Sequence, residues 1–171
     1  MRIMLKLIIV ALIILNILTG WNLYKEHKAN EKYERDRTIN YLLNQKTIYG
    51  FLEESLKGTK PPLKVAKDIK IAYACCVGEN YHLPTSLYEF GMDGSMVMGE
   101  EFDNAIDGEL TSNDIDKLKV YNEWLEKFLK EVDFDFNNYE ANDMGVIKKN
   151  IIHFGEEYQE ARYENKLPFL K

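Results

Sequence analysis

Twelve residues close to the amino terminus, Leu7 to Leu18, read LIIVALIILNIL, and Asn16 is the single polar side chain among them. A run apolar on every face cannot form one wall of a water-exposed bundle, because an amphipathic helix keeps a polar side. Extended to Ile3 and Tyr24 the segment holds 22 residues. At ~1.5 Å per residue it measures about 33 Å, close to the roughly 30 Å hydrocarbon core of a bilayer. Lys6 lies near one end, where its stem can stay in lipid while the ammonium reaches the headgroups. Trp21 and Tyr24 fall at the other end, the depth at which aromatic belts form. The expected element is a transmembrane anchor over residues 1–24 that meets the lipid bilayer through residues 3–24.

The exit from the run, Ile17-Leu18-Thr19-Gly20-Trp21, lacks the small-residue pattern of a cleavage site, and no cysteine follows to carry a lipid. An uncleaved, single-pass signal-anchor is therefore expected. Arg2 and Lys6 favour an inside amino terminus, whereas Lys25, Lys28, Lys32, Arg35 and Arg37 make the other flank the more basic by count. The orientation adopted places the C-terminal domain on the extracytoplasmic side, because a basic stub ahead of an apolar run has the form of an export signal.

Charge limits what the remainder can bind. Removing Arg2 and Lys6, the charges before residue 25, from the 22 basic residues leaves 20 against 28 acidic ones, a net charge of −8. A surface of that sign repels phosphate backbones and anionic headgroups, so nucleic acid is excluded as a partner. The two cysteines, Cys75 and Cys76, are neighbours and supply no disulfide framework. They read as small, partly buried thiols on a helix.

Residues 25–171 read as an acidic helical domain. Residues 25–38 are rich in Glu, Lys and Arg without an apolar stripe, which suggests a solvated, stalk-like helix. From 39 onward a bundle is expected. Ile39, Leu42, Leu43, Ile48, Tyr49, Leu52 and Leu56 recur at three- and four-residue steps, Gly58 closes that helix, and Pro61-Pro62 opens the next. A second helix is expected over about 63–77, with Ala66, Ile69, Tyr73 and Cys76 on one face. Residues 78–108 hold five glycines and no sustained period, so this stretch reads as an irregular, glycine-rich connection, with 95–98 extended. A third helix runs to Val132 behind a Thr111 or Ser112 cap, on the stripe Ile115, Leu118, Tyr121, Leu125, Phe128, Leu129 and Val132. After a polar linker, 133–142, whose Phe134 and Phe136 should pack inward, a fourth helix over about 143–165 carries Met144, Ile147, Ile151, Phe154 and Tyr158. The fold class expected is all-α: a transmembrane helix followed by a bundle of about four helices.

One stretch has the spacing of a cation site. Asp103, Asp107, Gly108, Thr111 and Asp114 occupy the first, fifth, sixth, ninth and twelfth positions of an EF-hand loop, where calcium takes oxygen ligands and the sixth residue turns sharply. Leu110 fills the aliphatic eighth position. The continuation Ile115-Asp-Lys-Leu-Lys-Val-Tyr121 resembles the exiting helix of an EF-hand, and especially of a dockerin half. The resemblance covers 103–121 and implies calcium held by Asp103, Asp107, Thr111 and Asp114. The chain departs from the pattern at Ala105, which removes the third-position ligand, and at Asp114, shorter than the usual bidentate glutamate. A second reading needs no metal: Asp107-Gly108 makes a turn, and Thr111 with Asp114 forms a capping box. That second reading is preferred, and no cofactor is assigned.

Catalytic signatures are missing from the sequence: it holds no H-E-x-x-H, G-x-S-x-G, C-x-x-C or phosphate-cradling glycine loop. Of the histidines His27, His82 and His153, the last two lie at helical spacing from Glu79 and from Glu156 and Glu157, yet no three or four ligands converge on any of them in the sequence. The function expected is that of a membrane-anchored, non-enzymatic helical module that binds another protein or senses a signal. Two alternatives stand beside it: a calcium-binding regulatory version using 103–114, and a surface hydrolase using carboxylates from 78–108. No catalytic residue is singled out.

Overall fold

The computed structural model describes residues 2–58, 62–79, 87–107, 111–164, 166, 167 and 169; within them, the side chains of 2–8, 10, 11, 62, 63, 76–79 and 105–107 lie outside the description. Among the described residues there are five α-helices and no strand: α1 (Arg2–Leu56), α2 (Pro62–Glu79), α3 (Tyr88–Asp107), α4 (Ser112–Val132) and α5 (Met144–Tyr163). The chain divides into two units, Met1–Thr38 and Ile39–Lys171.

In the first unit the backbone is helical from Arg2. No proline interrupts it, and its one glycine, Gly20, has open space around it. Thr19 and Thr38 donate their hydroxyls to the carbonyls of Leu15 and Glu34, each at 2.9 Å, so both hydroxyls find a partner within the helix. Ile9, Leu12, Ile13, Ile14, Leu15, Ile17 and Leu18 are all exposed. Among the described residues no helix is long and apolar enough to cross a membrane. The side chains of 2–8, 10 and 11, a large part of the expected anchor, lie outside those residues.

The second unit is a helical bundle. The α1 stripe buries Leu42, Ile48 and Leu52 and leaves Ile39, Tyr49 and Leu56 half-buried. Gly58 has φ +69, the left-handed geometry that glycine adopts freely, and α2 begins on Pro62, whose fixed φ suits a first helical turn. Helices α2 and α3 pack most extensively on each other, α4 lies against α5, and α3 also contacts both of these. The α4 and α5 stripes behave as their periods require: Leu118, Tyr121, Leu125, Phe128 and Val132 are buried on one, Ile147, Ile151, Phe154 and Tyr158 on the other. Between them Phe134 is buried, and the half-buried Phe136 stacks edge-on to it at 4.9 Å.

One expectation is overturned. Residues 88–107 are not an irregular connection but the continuous helix α3, and 95–98 are helical within it. Among the described residues the second unit accordingly has five α-helical segments, counting the end of α1, where about four were expected. The physical reason lies at the glycines. A Cβ on Gly94 would fall 2.0 Å from the Tyr121 hydroxyl, and one on Gly99 would fall 3.3 Å from the Tyr73 ring. Both glycines make room for a neighbouring aromatic ring inside a regular helix; neither serves to bend the chain. Phe90 anchors the same helix in the core, with ring centroids 5.4 Å from Tyr121, 6.0 Å from Phe128, 5.2 Å from Phe154 and 4.9 Å from Tyr158. Such pairs add to the stabilisation from area burial alone.

Candidate functional site

Helix α3 concentrates the unusual chemistry of the second unit. Its charged residues, Glu89, Asp93, Glu100, Glu101, Asp103 and Asp107, are all acidic. Two of them, Asp93 and Glu101, are buried, which carboxylates tolerate only when paired.

Asp93 is held by α5. The Tyr158 hydroxyl donates to its Oδ2 at 2.9 Å, Arg162 Nε donates to the same oxygen at 2.8 Å, and Arg162 Nη2 reaches Oδ1 at 3.3 Å. The fork of the guanidinium matches the carboxylate edge, the geometry in which arginine pairs are strongest. The hydrogen bond to Asp93 raises the Arg162 pKa further, and burial beside that carboxylate pushes the Tyr158 hydroxyl far above the ordinary phenol value. Every oxygen of Asp93 is spoken for, so its role is to clamp α3 to α5.

Glu101 faces α4 instead. Asn104 donates to its Oε2 at 3.4 Å, and Lys117 Nζ lies 3.5 Å from Oε1. The Asp114 carboxylate lies beside it. Burial, then the neighbouring Asp114 charge, raise the Glu101 carboxyl above its ordinary value. Burial alone would raise Asp114 as well. The bonds from Thr111, the Glu101 contact and Lys117 instead hold it below its ordinary value. The two neighbouring carboxyls are thus shifted in opposite directions.

The expected calcium ligands are placed as follows. Asp103 is exposed within α3. Asp107 ends α3, and its side chain lies outside the described residues. Thr111 is the N-cap of α4 and forms a complete capping box with Asp114: the Thr111 backbone N–H donates to Asp114 Oδ2 at 2.7 Å, the Thr111 hydroxyl to the same oxygen at 2.8 Å, and the Asp114 N–H to Thr111 Oγ1 at 3.3 Å. The cap foreseen from the spacing is present. Among the described residues no three of His, Cys, Asp and Glu are grouped to hold a metal ion. His27 pairs with Glu31 at 3.1 Å, and His153 is exposed on α5. His82 lies outside the described residues, as does the Cys76 side chain, while Cys75 is a half-buried thiol on α2.

A shallow cavity of about 410 Å³ opens where α4 passes to α5, lined by Asp133, Phe134, Asp135, Asn142, Asp143 and neighbours. Its polar groups are committed to the connection itself. Asp135 Oδ1 accepts from the N–H groups of Asn137 and Asn138, Asn142 Oδ1 accepts from the Asp135 N–H, and Asp143 caps α5. No carboxylate of 78–108 is among its lining residues.

The outward side of α3 is the feature that the residue pattern concealed. Tyr88, Met92 and Met96 stand at successive four-residue steps and are 51%, 44% and 50% exposed. Four-residue spacing puts them in one row along the helix. Glu100 continues the row, and Asp103 lies one turn further on, both exposed. The signal was available as Tyr-x-x-x-Met-x-x-x-Met, but it acquires meaning only once 88–107 is known to be a helix.

The chain matches no protein-family model, no curated protein and no solved structure.

Proposed function

We propose that this chain is a membrane-tethered interaction module, in which residues 3–24 span a bilayer and present the helical bundle for binding to another protein. The observation that carries the reading is the exposure of the aliphatic run. Leu12, Ile13, Ile14 and Leu15 are consecutive, so they point to all sides of the helix, and each is more than half exposed. An aliphatic cylinder with no polar face and no cover is stabilised by transfer into hydrocarbon. At its end, Trp21 stacks on Tyr24 at 6.0 Å and Lys25 lies 5.5 Å above the Trp21 ring. An amphipathic aromatic pair with a cation suits the headgroup boundary.

The orientation proposed has the amino terminus inside and the bundle on the extracytoplasmic side. The binding role rests on the half-exposed row of α3, carried on a helix whose Asp93 is engaged by Tyr158 and Arg162. Carbonate extraction of membranes from cells expressing the full chain tests the anchor. The protein should stay with the bilayer at high pH and be released when Ile13 and Ile17 are both replaced by lysine. Release of the unaltered chain would defeat the reading. Protease added to intact cells should digest the bundle; digestion only after lysis would reverse the orientation.

A further inference from the structure

We propose that the outer face of α3 binds a basic amphipathic helix of a partner protein. The inference deepens the interaction-module reading and depends on it, but not on the membrane anchor. Tyr88, Met92 and Met96 cover two helical turns, about 12 Å at ~1.5 Å per residue, the length over which a partner helix lays down apolar anchors at i, i+3 or i+4 and i+7. Methionine suits such a row because its unbranched thioether repacks around side chains of different shape. Tyrosine adds a rigid ring with a polar tip, a residue enriched where proteins bind each other. The backbone that carries the row is held firmly, by the Phe90 contacts and by the Asp93 clamp to Tyr158 and Arg162. The presenting helix is thus rigid and the contacting side chains are adaptable, so binding costs little ordering of the backbone.

Charge selects the partner. Arg162 and Lys117 come closest to the inner carboxylates, at 2.8 Å from Asp93 and 3.5 Å from Glu101. Glu100, with 60% of its side chain exposed and Lys117 only 3.9 Å away, and the exposed Asp103 leave the surface row edged by negative charge. A helix with leucine-like anchors flanked by lysine or arginine complements both features. A nucleic acid or an anionic lipid surface is repelled by the same carboxylates. A second copy of this chain, docked through the same face, would bring another α3 whose charged residues are all acidic, and that helix offers Glu100 and Asp103 no cation.

The full chain, purified in a mild zwitterionic detergent with methyl-labelled methionine, is titrated with a synthetic helical peptide of leucine and lysine that carries leucine at i, i+3, i+4 and i+7. The expected result is a saturable change in the Met92 and Met96 methyl signals, with the buried Met98 unmoved. The Met92→Gln, Met96→Gln double variant should weaken binding by at least about tenfold, and Glu100→Gln with Asp103→Asn should weaken it and flatten its salt dependence. Both pairs are exposed, so each variant should keep the wild-type circular dichroism. Four results would overturn the proposal: no saturable change at Met92 and Met96, an equal response to a leucine–glutamate peptide, concentration-dependent shifts without peptide, which assign the face to a second copy, or shifts on adding anionic vesicles alone. Failure of the anchor would show in the carbonate extraction and leave these methyl shifts as they are.

Discussion

Helices α3 and α4 are nearly equal in length, 20 and 21 residues, but they meet the core by opposite means. Helix α4 projects Leu118, Tyr121, Leu125, Phe128 and Val132 into it, a stripe whose members recur at three- and four-residue steps. Helix α3 contributes Leu87 just before its first turn, then Phe90, Val97 and Met98, and between them it offers Gly91, Asp93, Gly94, Ser95 and Glu101. Three of those positions receive groups from elsewhere: the Tyr121 ring above Gly94, Arg162 and Tyr158 on Asp93, Lys117 beside Glu101. One helix supplies knobs and the other supplies sockets. A helix can therefore be a full member of the core while its own apolar pattern is weak.

The sharpest challenge to this contrast is Phe90→Ala. Removing a fully buried ring with four aromatic neighbours should cost about 3–5 kcal/mol in urea unfolding of the full chain in micelles. A loss near 1 kcal/mol would mean that α3 only lies on the bundle. Next comes Gly94→Ala. Helix propensity favours alanine by about 1 kcal/mol, but the added methyl would meet the buried Tyr121 ring, an overpacking that costs roughly 1–3 kcal/mol, so net destabilisation is expected. Gly50→Ala on α1, where nothing lies within 4 Å of the added carbon, should instead stabilise by about 0.5–1 kcal/mol. Equal responses at the two glycines would abolish the socket interpretation.

On the α4 side, Thr111→Ala removes the hydroxyl half of the capping box and leaves the backbone N–H bond to Asp114, and it should cost about 1 kcal/mol, read as a lowered urea midpoint with unchanged slope. The smallest effect, and the one most dependent on pH, is expected for Glu101→Gln. The folded protein raises the Glu101 pKa, so the stability this carboxyl contributes is full below its unfolded value near 4.3 and is lost as pH rises through the folded value. Glutamine stays neutral at every pH. The variant should therefore gain on the wild type as pH goes from 4 to 7, in melting temperature measured at several pH values. A gain that shrinks over that range would show that the Lys117 ion pair outweighs the burial of charge.

Parts of this molecule were legible because their cause is local. Thr111 and Asp114 stand three residues apart, and that spacing alone suffices to build a cap. Gly58 and Pro62 punctuate α1 and α2 by backbone geometry that belongs to those residues wherever they occur. The stripes of α4 and α5 are periodic because their own side chains fill the core. Helix α3 was illegible for the complementary reason. A glycine at position 94 means a bend in one context and a close approach in another, and the Tyr121 ring that decides between them lies 27 positions further along the chain. The acid at position 93 reads as solvated surface until Arg162 and Tyr158 are brought to it.

The residues by themselves determined an all-helical chain with an aliphatic amino-terminal run, an acidic remainder and well-marked helix ends. Composition, periodicity and capping act within a few residues of sequence, and they hold whatever the rest of the chain does. Only the tertiary structure decided that 88–107 is a helix, that two of its carboxylates are buried and clamped, and that Tyr88, Met92 and Met96 form one exposed row. Each of these depends on which groups from distant positions arrive beside it. Burial, ion pairs and a surface facing outward are relations between segments, and no single segment contains them.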